Sequence, residues 1–204
     1  RINYRVTEDG EVTFVRDVRG IGEAVVSEFL WYRGLSRVDH ILATHADADH
    51  IQGLTDVAKN FQIGSAVFGR MPSEDPDYAD LAEVLRRRIS STNIFRGDVL
   101  QFGDVSVEVL YPPASDDLYA VSANDNSIVL RIIYGNRKFL LTGDIERLAE
   151  SAVVSGDISA DLVKVPHHGS RTSSTQEFIN AVGAKVAVIS VGKEMARLAL
   201  VQRD

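Results

Sequence analysis

The 204-residue sequence contains no cysteine. This absence excludes disulfide bonds, thiolate zinc sites and cysteine nucleophiles, so any metal ion must be bound by histidine and carboxylate side chains. Long apolar runs are also missing: no segment approaches the roughly 20 residues that cross a bilayer, and none has the pattern of a signal peptide. We therefore expect the chain itself to be soluble. Positive charge is scarce too, since the formal net charge is -7, which argues against a broad basic surface for nucleic acid.

Linkers, low-complexity tracts and internal repeats are absent as well, so we predict a single domain over residues 1–204. The composition, with 45% hydrophobic and 25% charged residues, is typical of a globular domain. The chain begins with Arg1 and not with Met. We expect it to be a piece of a longer protein.

Helical and strand patterns alternate along the chain. Apolar residues have helical spacing over residues 23–33, 54–61 and 81–89, and short apolar runs at 38–44 and 66–68 predict strands between them. Alternating valines from residue 105, and a Gly135-Asn136 turn between two apolar runs, indicate antiparallel strands. Helices at 145–153 and 175–182 then alternate with strands at 162–165 and 185–191, and Ser174 with Glu177 predicts a capping box for the last helix. Mixed sheets covered by helices fit a layered sandwich.

Potential metal ligands are concentrated at the end of the predicted strand 38–44. Within six residues the chain carries His45, Asp47, Asp49 and His50. An imidazole and a carboxylate two positions apart can bind one ion, while the adjacent aspartate and histidine turn toward a second, so the segment predicts a two-metal site. The alternative is a polar turn in which an aspartate caps the following helix and the histidines are incidental.

A second cluster follows the strand 162–165, where His167, His168, Ser170 and Arg171 precede a helix. Neutral imidazole is a metal ligand, and charged imidazole is a proton donor. The hydroxyl-rich turn offers N–H groups to an anion, and the arginine offers a planar fork for phosphate oxygens. The alternative is a capped turn with surface histidines.

Two further loops carry polar residues at strand boundaries. Asp144 follows a glycine at the end of an apolar strand, and its carboxylate would bridge a metal pair if the loops meet. Asn124 and Asn126 precede a strand. There are two interpretations of this pair: the amide groups line the site, or the residues only form a turn. His40 is interpreted as structural, and the arginine run 86–88 as a solvated helix face.

Taken in order, the motifs THADADHIQGL, NDNSIVL, LLTGDIE and VPHHGSRTSS resemble the metallo-β-lactamase superfamily, and within it the ComEC-like hydrolase domains of DNA-uptake proteins. The likeness runs from about Gly22 to Gly192. It implies an α/β fold, an αββα four-layer sandwich of two mixed β-sheets flanked by helices, with two divalent metal ions between the sheets.

The resemblance also implies a ligand for each position. The family motif H-x-H-x-D-H has Asp47 in place of its second histidine, as is usual in ComEC-like members. One ion would be served by His45 and Asp47, the other by Asp49 and His50, and Asp144 would bridge them, with His168 and His167 facing the substrate or completing the shell. Two family features are not found in this sequence: a VGQGD strand with its DGG turn upstream of Gly22, and a YGHP loop after Gly192.

The implied activity is that of a phosphodiesterase, a DNA nuclease that degrades the non-imported strand during natural transformation. Its catalytic residues would be Asp49 and His168, the latter protonating the leaving oxygen. Oxygen ligands favour manganese, with zinc as the alternative. The substrate would be single-stranded or duplex DNA, handled beside a membrane channel domain of the same parent chain at the extracytoplasmic face. No stable protein partner follows from the sequence.

Two other functions compete with the nuclease. The first is a free-standing hydrolase of the same superfamily acting on a small ester or phosphodiester, which the acidic net charge favours. The second is a catalytically degenerate docking module of the uptake machinery, supported by the missing terminal motifs.

Overall fold

The computed structural model describes residues 3–6, 12–15, 20–72, 74–86, 89–115 and 122–191. The strands in this part of the chain are β1 (Asn3–Val6), β2 (Val12–Val15), β3 (Arg37–Ala43), β4 (Gln62–Phe68), β5 (Ser91–Asn93), β6 (Val99–Phe102), β7 (Val105–Tyr111), β8 (Val129–Tyr134), β9 (Arg137–Leu141), β10 (Leu162–Lys164) and β11 (Val186–Val188). The helices are α1 (Glu28–Tyr32), which continues a π-helical segment at Gly22–Ser27, α2 (Ala48–Asn60), α3 (Pro76–Arg86), α4 (Arg147–Val153) and α5 (Gln176–Val182). Short 3-10 turns cover Asn124–Asn126 and Pro166–Gly169.

The strands form two larger sheets and a separate hairpin of β1 and β2. A six-stranded sheet has the order β11-β10-β9-β8-β7-β6, antiparallel from β6 to β9 and parallel from β9 to β11. A three-stranded sheet has the order β3-β4-β5, and these strands are parallel. The predicted turn at Gly135-Asn136 is confirmed, because Tyr134 pairs with Arg137 across it.

Helices and sheets form four layers, and an apolar cluster fills each of the three spaces between them. One lies between α2, α3 and the three-stranded sheet, a second between the six-stranded sheet and α4, α5, and a third between the two sheets. Fully or nearly buried members are Ile51 and Phe68 in the first, Leu140 and Phe178 in the second, and Val67 and Ile128 in the third. The predicted αββα sandwich is therefore confirmed.

Strand alternation explains how each sheet serves two clusters. In β9, Leu140 faces the helices and the adjacent Leu141 faces the other sheet. In β3, Ile41 likewise faces the helices and the adjacent Leu42 faces the other sheet. Successive side chains of a strand point to opposite faces, and each buried aliphatic side chain stabilises the fold by about 1.5–3 kcal/mol. Both sheets thus present apolar residues on two faces and keep their polar ligands for the strand ends.

The start of α5 differs from the predicted capping box. Its N-cap is Thr175, whose hydroxyl accepts from the Phe178 N–H at 3.3 Å. Ser174 instead has a left-handed φ of 61° and donates its N–H to the carboxylate of Glu150. The Thr175 N–H reaches the same carboxylate at 2.8 Å. A fully buried glutamate from α4 therefore anchors the chain that leads into α5.

Some predictions fall on residues outside the described part of the chain. Gly192 and the position of the missing YGHP loop belong to this group, as do the last two residues of the arginine run 86–88. Of the helices that the structure describes, none combines the length and the apolar character needed to traverse a bilayer.

Candidate metal centre

The first ligand segment lies where β3 ends and α2 begins. Asp47 is the N-cap residue of α2, yet within the described residues its side chain makes no capping hydrogen bond. Asp49 and His50 lie in the first turn of the helix. The alternative reading of this segment, a turn in which an aspartate caps the helix, is therefore wrong for Asp47, whose carboxylate remains available to the site.

His50, Asp144 and His168 meet at one point. The Nε2 atoms of His50 and His168 both lie 3.1 Å from Oδ2 of Asp144 and 3.4 Å from each other. Asp144 follows β9, and His168 follows β10 in the 3-10 turn. Parallel strands end at the same edge of a sheet, so neighbouring β9 and β10 deliver both residues to the same place.

His45 contributes a buried nitrogen to the same cluster. Its side chain is 1% exposed and its ring centroid lies 4.2 Å from that of His50. Among the described residues, His45 Nε2 has no hydrogen-bond partner. Its Nδ1 lies 3.0 Å from the Thr44 hydroxyl and 3.1 Å from the Ser127 hydroxyl, and donation from Nδ1 leaves Nε2 with a free lone pair. Burial, then the neighbouring His50, lowers the pKa of His45 to about 4, so the ring is neutral at physiological pH.

Hydrogen bonds hold both the backbone and the side chain of Asp144. Its N–H donates to the Ser127 hydroxyl at 3.0 Å, and Lys164 donates to Oδ1 at 3.2 Å and to the Gly143 carbonyl at 2.8 Å. Gly143 has a φ of 54°, and a Cβ there would lie 2.6 Å from Cβ of Ser127, so only glycine allows this approach. Burial alone would raise the pKa of Asp144, but contacts with His50 and then Lys164 outweigh it and hold the pKa well below its usual range.

The two other aspartates are more open to solvent. Asp47 is 45% exposed with its Oδ2 3.7 Å from His45 Nε2, and Asp49 is 67% exposed with its Oδ2 3.6 Å from His50 Nε2 and 3.4 Å from His168 Nε2. Partial burial, then the neighbouring Asp49, raises the pKa of Asp47. These carboxylates line the solvent side of the cluster, opposite buried His45 and Asp144.

The two adjacent histidines of the second cluster face different partners. Both have left-handed backbones, with φ of 44° at His167 and 53° at His168. Such conformations cost on the order of 1–3 kcal/mol each and persist where the surroundings impose them. His168 Nδ1 lies 2.6 Å from the Ser190 carbonyl, which directs Nε2 into the cluster. His167 Nδ1 lies 3.0 Å from Glu146 Oε1, away from it.

The predicted substrate-binding residues lie around this cluster and stay predictions. The Ser170 hydroxyl lies 2.9 Å from that of Thr172, and Arg171 accepts a bond from Arg147 through its carbonyl. The Asn126 amide donates to the Ser122 carbonyl at 3.1 Å. The Oδ1 of Asn124 is buried, and in the described part of the chain it has no hydrogen-bond partner.

Sequence reasoning missed the residues that hold the ligands in place. Ser127, Lys164, Glu146 and Ser190 carry no metal-ligand pattern, although Ser127 directly follows Asn126 in the noted NDNS segment. Their roles depend on contacts between loops that are distant in the chain. The structural interpretation of His40 agrees with its surroundings: its Nδ1 lies 2.7 Å from the Ser65 hydroxyl, and its ring centroid lies 4.7 Å from that of Phe102, with the two rings tilted.

These residues fit a metal site. Two groups bring one ligand atom per residue within 4.8 Å of each other: His45, His50 and Asp144, and Asp49, His50 and His168. An unsatisfied buried nitrogen is costly unless something binds it, and His45 Nε2 is such an atom. Nδ1 contacts that orient Nε2 toward the cluster are typical of histidine ligands.

Comparison with known proteins identifies the family of this chain. The family model of the metallo-beta-lactamase superfamily matches residues 15–193. The chain belongs to this superfamily. Within it, the chain is 36% identical over 176 residues to ComE operon protein 3 of Bacillus subtilis, and the aligned region covers 85% of this chain and 22% of that protein. The chain is 29% identical over 163 residues to competence protein ComA of Neisseria gonorrhoeae, and this alignment covers 78% of the chain and 21% of ComA.

The chain thus spans about a fifth of the length of these curated relatives. Among solved structures, the metallo-beta-lactamase fold protein YhfI of Bacillus subtilis aligns with a TM-score of 0.49 and 15% identity over 80% of this chain and 68% of that one. The predicted resemblance and fold are confirmed by the family match. Superfamily membership and the His/Asp groups together imply divalent metal ions and the metal-dependent hydrolase class.

Proposed function

We propose that this chain is the DNA-cleaving domain of a ComEC-like DNA-uptake protein, a metal-dependent phosphodiesterase that degrades the non-imported strand during natural transformation. Its superfamily supports metal-dependent hydrolysis. One of its relatives is named ComE operon protein 3, and another is named competence protein ComA. The observation that carries the proposal is the convergence of His50, Asp144 and His168 beside the unsatisfied Nε2 of His45.

Each ligand has a place in this proposal. His45 and Asp47 would hold one cation, Asp49, His50 and His168 would hold the other, and Asp144 would contact both. His50 belongs to both observed groups, and its adjacency to Asp49 in the first turn of α2 supports placing it with the second cation. The chemistry supplied by such a pair is polarisation of a phosphoryl oxygen and activation of a water molecule at neutral pH.

The surrounding residues set the orientation and protonation of these ligands. Ser127 and Ser190 hold His45 and His168 through Nδ1, and contacts with His50 and then Lys164 hold the pKa of Asp144 low. Because Nδ1 of His168 is turned toward the Ser190 carbonyl, Nε2 is the nitrogen that faces the cluster, so we assign His168 to ligation, and its part as proton donor to the leaving oxygen stays a prediction. His167, oriented by Glu146, borders the site where substrate would arrive.

The carboxylates at positions 47, 49 and 144 favour manganese over zinc, because hard oxygen ligands suit Mn²⁺. The parent protein would carry a membrane channel domain, with this domain at the extracytoplasmic face. Support for that placement comes from the competence relatives, of which this chain matches only a fifth.

The test combines metal analysis with a nuclease assay on the purified protein. We expect about two cations per chain and DNA cleavage that depends on Mn²⁺ or Zn²⁺ and stops with a chelator. His45→Ala abolishes cleavage, whereas His40→Ala, in a histidine outside the site, keeps it. Absence of cleavage with every divalent cation, in protein that has bound its metals, would overturn the nuclease and favour a small-substrate hydrolase or a docking module.

A further inference from the structure

A cleft of about 240 Å³ opens where β4 and β5 end, and residues from four segments line it, including Ala114 from the segment after β7. Arg70 and Met71 follow β4, Asn93 ends β5 and Phe95 follows it, and Asn126 belongs to the turn before β8. None of these residues is a ligand in the proposed metal centre. The cleft is therefore a separate feature of the same sheet edge.

The cleft adjoins the metal centre through backbone contacts. In the parallel pair of β3 and β4, Ala43 lies opposite Phe68, so Thr44-His45 and Gly69-Arg70 leave the sheet side by side. A Cβ on Gly69 would lie 3.7 Å from the Thr44 carbonyl oxygen, which confirms that the two loops touch. On the other wall, Asn126 precedes Ser127, whose hydroxyl contacts His45. The cleft lining thus directly precedes Ser127 in the chain on one wall and lies beside the Thr44-His45 segment on the other.

The lining suits a flat polar ring. Phe95 is half-buried and offers an aromatic surface, Met71 adds a polarisable apolar contact, and the amides of Asn93 and Asn126 supply donors and acceptors. Arg70 is fixed at the mouth by bonds to the carbonyls of Pro113, at 2.7 Å, and Ser115. Small-molecule pockets enclose roughly 300–1,000 Å³, so this smaller cleft takes one ring system of a larger ligand.

We infer that the cleft binds one base of a single-stranded nucleic acid whose neighbouring phosphate lies at the metal centre. This inference rests on the proposed nuclease and names the part of its substrate that the protein holds. Stacking of bases on aromatic side chains is tolerant of sequence, so the cleft provides affinity for unpaired DNA without a sequence preference. A duplex keeps its bases stacked and does not offer one to the cleft without unpairing.

The test compares two labelled single-stranded oligonucleotides of equal length, one of thymidines and one entirely of abasic nucleotides. Binding is measured by fluorescence anisotropy with Ca²⁺, and cleavage with Mn²⁺. Because base stacking is worth about 1–3 kcal/mol, Phe95→Ala weakens binding of the thymidine strand about 5- to 150-fold and leaves the abasic strand unchanged. Tyr134→Ala, an exposed aromatic at the β8 hairpin, changes neither.

The outcomes separate the cleft from the nuclease. Equal binding of both strands by the unmodified protein, binding of neither, or an equal loss for both in Phe95→Ala, overturns the base site even if DNA is cleaved. Preferential binding of the thymidine strand that Phe95→Ala removes, without cleavage under any divalent cation, supports the base site and overturns the nuclease. Metal content and thermal unfolding of each variant show that Phe95→Ala has not disturbed the fold.

Discussion

The Nε2 atom of His50 lies 3.1 Å from Oδ2 of Asp144, although 94 positions separate the two residues in the sequence. His50 comes from α2, the helix that follows β3 of the three-stranded sheet, and Asp144 from the loop after β9 of the six-stranded sheet. The candidate site therefore lies across the seam between the two sheets, and it requires both of them.

Asp144→Asn tests the bridging role. An amide offers one neutral oxygen in place of a carboxylate that contacts two imidazoles and Lys164. We expect bound metal to fall to one ion per chain or fewer, and cleavage to fall at least about 100-fold. Metal analysis and initial rates measure both. The matched control is Asp104→Asn, which neutralises an exposed aspartate in the turn between β6 and β7 and leaves both quantities unchanged.

Ser127→Ala tests how the ligands are positioned. One hydroxyl contacts both His45 Nδ1 and the Asp144 N–H, so its loss frees a ligand from each sheet. Loss of such outer contacts typically lowers metal affinity 10- to 100-fold. Competition with a metal indicator gives the dissociation constant. Ser155→Ala, in an exposed serine after α4, serves as the control, and an unchanged affinity in Ser127→Ala would contradict the positioning role.

Metal removal is expected to destabilise the fold. Ligands that bind only the folded state, at 100 times their dissociation constant, add about 2.7 kcal/mol, so a chelator lowers Tm by roughly 5–10 °C for a domain of this size. Scanning calorimetry with and without chelator measures the shift. In Asp144→Asn the shift shrinks or vanishes, because the site no longer binds two ions. A shift of equal size in that variant would place the stabilising metal elsewhere.

Glu150→Ala tests the anchor of α5. Its buried carboxylate accepts the N–H groups of Ser174 and Thr175, and truncation leaves both without an acceptor. Each unsatisfied buried group costs about 1–3 kcal/mol, so the free energy of unfolding should fall by about 2–5 kcal/mol in urea titrations. Glu177→Ala removes the glutamate of the predicted capping box and should change stability by less than about 1 kcal/mol. A larger loss of unfolding free energy in Glu177→Ala than in Glu150→Ala would support the predicted capping box and contradict the anchoring role of Glu150.

The sequence predicted those parts of the molecule that periodicity and short motifs determine. The hairpin turn at Gly135-Asn136, the helix predicted at 54–61 and the layered sandwich follow from local pattern. The candidate ligands at 45–50, 144 and 168 were visible because imidazoles and carboxylates ended apolar strands. Glu150 and Ser127 were not visible, because each acts on backbone groups of a segment far along the chain. The Ser174 cap was wrong for the same reason: the Glu150 carboxylate, 24 residues upstream, takes its N–H group.

The contact between His50 and His168 spans 118 positions, so a chain that has built only its first sheet has four of the six proposed ligands and lacks Asp144 and His168. The proposed site is therefore complete only in the finished fold. During synthesis or export, capture of the cations would mark the moment at which the second half of the sandwich has docked onto the first.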